Sequence, residues 1–563
     1  MTTIQGTLVT KDYKRFEIHD DHGKSLHSFE GAAKASPCLP GDTVETSLDG
    51  SLLLIGRAPH PLLSGYLELN SKTLYGTTKR GLPLYLFVPL NSTYPCFVVA
   101  SSDRDRSAKK VATIEFLEWT KGSTFPRGAL VTLLGTQGDL AAEEEAALIH
   151  ACPWKSLTQG LTILPDDVPE GGRVRLGGYT FHVDPPGCRD VDDVITIDSN
   201  TEDPHTVRIY ITISDVASCV EELGAIDLMA AQQGCTLYRD GAAVRPMLPP
   251  LLSEEHCSLL PSSEGYKRGV SLGFTWNMSR HHIEDESITW CESLVRVHDS
   301  YTYETFAARD AASSFLLEHI AAHLEGHPVP DPHDWIAALM KFYNLRAAAL
   351  LKDVGVGILR RHSAPDQTRL DRYKAWDISL APLANAAAEY CHASDVDTTH
   401  WGIATDAYCH VTSPIRRYAD LMNQRILKQL VRKNKQGLVV SVLCSELNAR
   451  MKIAKGYERD LTFLRCLLRP DAERRFSARI LDISHPGTGT VAIRLWIPAW
   501  SKTFKCRYKF VAQLDNGIYR VSSADETCEF NVREGQDVMI ACALNMAGRR
   551  WKDKMVVKLD TML

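Results

Sequence analysis

The chain has 563 residues, 44% of them hydrophobic, with 63 Lys plus Arg against 69 Asp plus Glu and a formal net charge of −6. That length supplies cores for three or four domains, and no apolar run approaches the roughly 20 residues that a membrane-spanning helix requires. A net negative chain is not a general nucleic-acid coat, and 15 scattered cysteines without a Cys-x-x-Cys pair argue against a structural zinc site.

The first segment, MTTIQGTLVTKDYKRFEIHDD, lacks the apolar core of a signal peptide and carries acids that a transit peptide avoids. A chain that is not secreted, with reduced thiols in the cytoplasm or nucleus, is expected. Residues 1–62 alternate short β-type runs, Gly6–Thr10 and Phe16–Ile18, with a Pro40-Gly41-Asp42 turn. Residues 63–150 repeat the style in Leu84–Val88, Cys96–Ala100, Ala112–Phe116 and Gly128–Leu134, then close with a helix over 139–151 that Asp139 caps. Short strands with regular turns predict two small barrels of the OB type. Residues 151–172 form a linker punctuated by Pro165, Pro169 and Gly171-Gly172.

From 173 to 472 the pattern is mixed α/β, with helices predicted over Trp335–Lys352 and Ser413–Lys433. Residues 473–563 return to short strands, Phe476–Leu481, Thr490–Trp496 and Asp537–Ala541, which predict a third barrel. Phe504, Arg507, Tyr508 and Lys509 give it the aromatic and basic ingredients of a single-strand-binding groove. A core role for Phe504 or Tyr508 is an equal alternative. From residue 401 onward 28 Lys plus Arg face 16 Asp plus Glu, a net of +12 against −18 for residues 1–400. That asymmetry suits a face that meets a polyanion, or simply an uneven surface.

Asp184-Pro-Pro-Gly-Cys-Arg-Asp190-Val-Asp192-Asp193 packs four carboxylates into ten residues. Like charges this close repel unless a cation neutralises them, and hard divalent ions such as Mg²⁺ or Mn²⁺ prefer carboxylate oxygens. A solvated acidic turn is the plain alternative. A calcium loop of the EF-hand type fails, because its twelfth position would be Ile195 or Thr201 instead of glutamate. The apolar runs Val194–Ile197 and Val207–Ile213 anchor the cluster to a sheet.

A second motif, Tyr408-Cys-His-Val-Thr-Ser-Pro-Ile-Arg-Arg-Tyr-Ala-Asp-Leu421, reads as a helix start. Thr412 or Ser413 would cap it, with Pro414 at its first position and Arg416 and Arg417 in its first turn. Guanidinium groups beside free backbone N–H groups make a reasonable phosphate clamp, with a solvated helix face, the usual place of arginine, as the alternative.

Together these motifs closely resemble the signature of the ribonuclease II (RNB) family, and the order OB, OB, RNB, S1-type OB is that family's own. Arg245-Pro-Met-Leu-Pro249 followed by Leu-Leu-Ser and Cys-Ser-Leu also matches, and the second barrel resembles the cold-shock domain of the exosome-type branch. No counterpart of that branch's N-terminal endonuclease (PIN) domain is found. The resemblance implies a processive, hydrolytic 3′→5′ exoribonuclease acting on single-stranded RNA and releasing nucleoside 5′-monophosphates, with no membrane association and a monomer as the default. An RNA-binding member with weakened catalysis is the alternative it leaves.

By resemblance Asp184, Asp190, Asp192 and Asp193 hold two Mg²⁺ ions, and Arg416 holds the scissile phosphate. Tyr303 packs on the terminal nucleotide, Tyr238 stacks on a base near the 3′ end, Arg417 contacts RNA and Glu458 reads the ribose. The chain also departs from the family. The stretch between Tyr303 and Trp335 is short, with no counterpart of a second clamping aromatic. Paired glutamates are replaced around Ile336-Ala337-Ala338-Leu339-Met340, and Gln424 stands where histidine is usual. A phosphate-loop NTPase fails, since Ile18 stands where the first glycine before Gly23-Lys24-Ser25 belongs.

Overall fold

The computed structural model describes residues 4–46, 52–120, 122–154, 172–261, 265–440, 442–469, 474–485, 487, 489–523, 528–549 and 551–562. Most of the expected linker, with Pro165, Pro169 and Gly171, lies outside them. The chain divides into two compact units, one of Met1–Lys155 with Lys455–Leu563 and one of Ser156–Ala454. No helix among the described residues is long and apolar enough to cross a membrane.

The first unit is built from three β-modules. Gln5–Thr10, Arg15–His19, Ser25–Glu30, Thr43–Thr46 and Leu52–Gly56 form an open five-stranded sheet whose alternate residues, among them Leu8, Phe16, Ile18 and Val44, enter the core. Leu63–Leu67, Leu84–Pro89, Phe97–Ala100, Lys110–Glu118 and Arg127–Thr136 close into a barrel, sealed where Arg127 and Gly128 pair in parallel with Val98 and Val99. The helix Leu140–Ala151 follows, and its Ala142 N–H donates to the Asp139 carboxylate at 2.9 Å. Seven strands between Arg475 and Met562 form the third module, an open sheet. Here Tyr508 is core: it is 6% exposed and its hydroxyl accepts the Leu559 N–H at 2.7 Å. Phe504 packs against Phe463, ring centroids 6.0 Å apart.

Within this unit the Lys554 ammonium is buried. It donates to the Tyr66 hydroxyl and lies over that ring at 3.8 Å, while the hydroxyl donates to Glu143 at 2.6 Å.

The second unit is organised by a seven-stranded sheet in the order Val174–Arg175, His282–Val295, Lys267–Asn277, Thr206–Ser214, Asp193–Asp198, Tyr179–Val183, Asp299–Tyr301. Its four central strands are antiparallel and β-branched. Ile209, Ile211 and Ile213 face one side, where they meet Leu317 and Ile320 of the helix Ala311–Glu325 and Leu339 and Tyr343 of the helix Pro332–Val354. The opposite face carries Thr212, Ser271 and Ser293, whose hydroxyls are linked at 2.7 and 2.6 Å, and a smaller core of Val191, Val194, Leu259 and Val295. Ile336 and Leu339 are buried. The helix Tyr418–Val431 packs against the same body through Ile426 and Leu427.

Candidate active site

The acidic run is the loop of a β-hairpin. Tyr179–Val183 and Asp193–Asp198 pair antiparallel with Tyr179 opposite Ile197 and Phe181 opposite Ile195, a register that continues to place Val183 opposite Asp193. Asp184 therefore leaves one strand beside the point where Asp192 and Asp193 enter the other. Between them Gly187 adopts φ 79°, a left-handed conformation open to glycine, and the Cys188 N–H bonds the Pro185 carbonyl at 3.2 Å. The base of the loop is pinned from both sides: the Asp184 N–H donates to the Tyr301 carbonyl at 3.1 Å, and the Ser214 N–H donates to the Asp192 carbonyl at 2.8 Å.

Asp192 is buried, and its two carboxylate oxygens are both engaged. Oδ1 accepts the Ile415 N–H at 2.9 Å and Oδ2 accepts Arg416 Nε at 3.1 Å. The two motifs, 224 residues apart, thus meet at one carboxylate. Arg416 also donates from Nη2 to the Ser413 hydroxyl at 3.2 Å, yet its side chain remains 47% exposed. A charged fork is held at its stem and open at its tip.

The helix start differs from the expectation. The helix begins at Tyr418, not Ser413, and Arg416 and Arg417 precede it. The reason is tertiary pairing: the Arg416 carbonyl accepts the Thr236 N–H at 2.9 Å, Arg417 forms a β-bridge with Cys235, and the Tyr418 N–H reaches the Gly234 carbonyl. A single turn over 413–417, in which the Arg416 and Arg417 N–H groups share the Ser413 carbonyl, is cut off from the helix at Arg417, whose backbone is extended. The buried Asp420 fixes this segment, accepting the Ser413 N–H at 2.9 Å and Arg417 Nη2 at 2.8 Å. Arg417, expected on RNA, spends its guanidinium on Asp420.

Tyr238 donates its hydroxyl to Asp190 Oδ2 at 2.6 Å, so it is tethered to the quartet. Tyr303 opens the short helix Tyr303–Arg309 and stacks on His333 with ring centroids 3.8 Å apart and planes 14° from parallel. One of its faces is taken by His333, a residue that sequence reasoning missed. Glu458 is exposed on the helix Cys444–Leu468, in the part that belongs to the first unit.

Two further residues were not found from sequence. His182 is buried, bonding Asp184 Oδ2 at 2.9 Å through Nδ1 and the Ser300 hydroxyl at 2.7 Å through Nε2, which fixes the orientation of the first acid. Its place two residues before Asp184 was the available signal. Gln424, noted only as a departure, proves to be a buried cross-link: Nε2 donates to the Ser214 carbonyl at 2.6 Å and Oε1 accepts the Ala217 N–H at 3.0 Å. It ties the helix that follows the arginine pair to the strand end that holds Asp192.

Burial pushes the Asp192 carboxyl up to about 7, against the pull of Arg416 and of the Ile415 N–H. Burial, with Asp184 and Asp192 beside it, holds the Asp193 carboxyl well above the usual range. Asp190 and Asp193 also act on Arg416, and Asp184 and Asp193 on Tyr303, so the structure brings the quartet, Arg416, Tyr238 and Tyr303 into one electrostatic neighbourhood. Uncompensated negative charge among oxygen donors is what a hard divalent cation neutralises. Of the eight carboxylate oxygens of the four aspartates, Asp184 Oδ1 and both of Asp193 accept no hydrogen bond among the described residues, and Asp190 Oδ1 accepts only a long one from the Cys188 thiol at 3.7 Å. The donor chemistry fits such an ion. As placed, no three acid, histidine or cysteine side chains among the described residues converge on a single ion.

This fold and site define a class. The RNB domain family matches residues 177–324 and 312–433, and the Dis3-like cold-shock domain 2 matches residues 84–152. Residues 177–433 are an RNB domain, and the chain has homologues in the RRP44, RNase R and RNase II exonuclease group. It is 24% identical over 474 residues to the exosome complex exonuclease RRP44 of Mus musculus, covering 67% of this chain and 48% of that protein. To ribonuclease R of Buchnera aphidicola it is 22% identical over 443 residues, covering 62% and 59%. The chain spans about half the length of the RRP44 relatives it matches. Its fold is similar to Mycoplasma genitalium RNase R solved with ribose-methylated single-stranded RNA, TM-score 0.70 at 18% identity over 99% of this chain and all of the other. It is also similar to yeast Ssd1, a pseudonuclease, TM-score 0.64 at 14% identity over 99% and 97%.

Proposed function

We propose that the chain hydrolyses single-stranded RNA from the 3′ end, processively, releasing nucleoside 5′-monophosphates with Mg²⁺ or Mn²⁺. The observation that carries this reading is the Asp192–Arg416 pair inside a four-aspartate site, because it couples an anion-binding fork to a cluster of oxygen donors. Asp184, Asp190 and Asp193 would hold the ions through their free oxygens. When bound, such ions lower the pKa of an attacking water and stabilise the leaving oxygen.

The chain's own residues do the rest. Asp192 holds Arg416 by Nε, leaving the exposed guanidinium tip to hold the scissile phosphate as negative charge develops. Tyr303, backed by His333, presents a ring for the terminal nucleotide, and Tyr238 stands beside Asp190 for the preceding base. Water oxygen bonds to phosphorus, the bond to the 3′-oxygen of the shortened strand breaks, and that oxygen takes the proton water gives up. Glu458 is assigned to the ribose 2′-hydroxyl. With every cysteine of the chain a free thiol, we place it in a reducing compartment, the cytoplasm or nucleus.

A second reading, RNA binding with little catalysis, draws on the likeness to a pseudonuclease and on the short stretch after Tyr303. One assay separates them. A 5′-labelled RNA is incubated with protein and Mg²⁺, then with EDTA, then with Asp192→Asn. A ladder shrinking from the 3′ end that vanishes in both controls supports hydrolysis. RNA left intact but retarded on a gel supports binding alone. A DNA strand of the same sequence, degraded equally well, would sink the role of Glu458.

A further inference from the structure

At the end of the central sheet remote from the aspartates lies a cavity of about 320 Å³. Ile197 in its wall is four residues along its strand from Asp193, about 13 Å, so the two sites are distinct. The floor is Trp276, 1% exposed; Met278, Phe315 and Leu316 form apolar walls. His281 and His319 stack across it with ring centroids 5.0 Å apart, and Phe315 leans on His319 at 4.1 Å. Phe315 is nevertheless 62% exposed and Met278 43%. Side chains of this size left open at a concave, aromatic-walled site are ordinarily covered by something.

Charge decides the occupant. No lysine or arginine lines the cavity; its polar groups are the Ser199, Thr206 and Ser313 hydroxyls and two imidazoles. At its edge the loop of Ser199, Pro204 and Thr206 carries exposed Glu202 and Asp203, and Glu284 accepts Asn277 Nδ2 beside Trp276. Arg280 is the basic residue of the adjoining turn. An RNA strand, whose binding depends on neutralised phosphates, finds no lysine or arginine in the wall and three acids against one arginine at its edge.

We infer that this cavity is a docking site for a partner protein, taking one large aromatic or aliphatic side chain from a segment whose neighbouring residues are basic. The apolar side chain fills the space between Phe315, His281 and Trp276, and Lys or Arg on either side meets Glu202, Asp203 and Glu284. Short segments with one buried anchor and a charged surround are a common mode of recognition.

The test selects random displayed peptides of about a dozen residues on the full chain, then measures those recovered by fluorescence anisotropy. Two variants serve. Ala312→Trp fills the cavity from an exposed position, and Phe315→Ala removes an exposed wall. The expected result is peptides bearing Trp, Phe or Leu next to Lys or Arg, each bound about tenfold or more weakly by both variants and not displaced by a uridine oligonucleotide. Unchanged thermal melting of the variants shows that their loss is local. The inference is overturned if no recovered peptide loses affinity to both variants, if the peptides carry acidic neighbours, or if the oligonucleotide displaces them.

Discussion

Asp192→Asn is expected to make the metal-free protein more stable than wild type as pH rises. The Asp192 carboxyl sits at about 7 in the folded chain against an ordinary 3.8, so the folded state holds its proton more tightly than the unfolded state. Below pH 4 both states are protonated and the group costs nothing. Between pH 4 and 7 the unfolded chain has released the proton and the folded chain has not, and stability falls with pH. Above pH 7 the penalty is complete. At about 1.4 kcal/mol for each pH unit between the two values, it amounts to about 4 kcal/mol. Asparagine keeps the shape and can still accept the Ile415 N–H, but it loses the charge and its amide opposes Arg416 Nε. The absolute stability of the variant is therefore offset by the lost ion pair, whereas the pH-dependent part survives subtraction. Urea unfolding of both proteins in EDTA, from pH 4 to pH 8, reads it directly. The variant should gain about 4 kcal/mol on wild type across that range. A difference that stays constant with pH would refute the claim that burial strains this carboxylate. Adding Mg²⁺ at pH 8 should return most of the wild-type loss, since a ligand that binds only the folded state stabilises it.

Arg416→Lys should lower the rate of RNA cleavage about a hundredfold or more, because a point charge cannot both hold Asp192 and present a fork; single-turnover kinetics at saturating protein checks it. Arg416→Ala, which leaves Asp192 buried without its cation, should also cost about 3 kcal/mol in urea unfolding. Gln424→Leu deletes two buried hydrogen bonds and strands the Ser214 carbonyl and Ala217 N–H, a loss of about 2–4 kcal/mol; Gln424→His should retain more than half of the stability, and equal losses would show that the amide is not what matters. Lys554 is pushed down to about 8 from 10.5 by burial, so its folded form holds the proton less tightly than the unfolded one. Its penalty is full below pH 8 and is relieved as pH climbs to 10.5, hence wild type should gain about 3 kcal/mol on Lys554→Met over that interval, measured by denaturant unfolding.

Much of the site was legible in the sequence because its acids are local. Four aspartates within ten residues and two β-branched runs just after them specify an acidic cluster anchored to a sheet, and the structure seats it on one; the pairing of Tyr179–Val183 with Asp193–Asp198, which makes the cluster a hairpin loop, was not read from the sequence. The barrel strands were readable for the same reason: alternation and turn residues are short-range signals. The helix over 413–433 was misplaced at its start because its apolar stripe and its apparent cap are local, whereas the pairing that holds Arg417 extended comes from 234–236. Tyr508 presented the same face to sequence reasoning whether it stacked on a base or filled a core; only the Leu559 N–H on its hydroxyl distinguishes the two. His333 and Gln424 left almost no trace, because each works through a partner distant in the chain, and His182 showed only its place two residues before Asp184.

By itself the sequence determined which groups are available: four carboxylates that repel each other, two adjacent guanidiniums, and the alternating strands that anchor them. Tertiary structure alone decided how they are spent. It gave Asp192 to Arg416 and Ile415, Arg417 to Asp420, one face of Tyr303 to His333, and left Asp193 without a donor among the described residues. The physical reason is that a charge's role depends on what lies within a few ångströms and on how much water remains there. Neither quantity is carried by spacing along the chain when the partners are more than 200 residues apart.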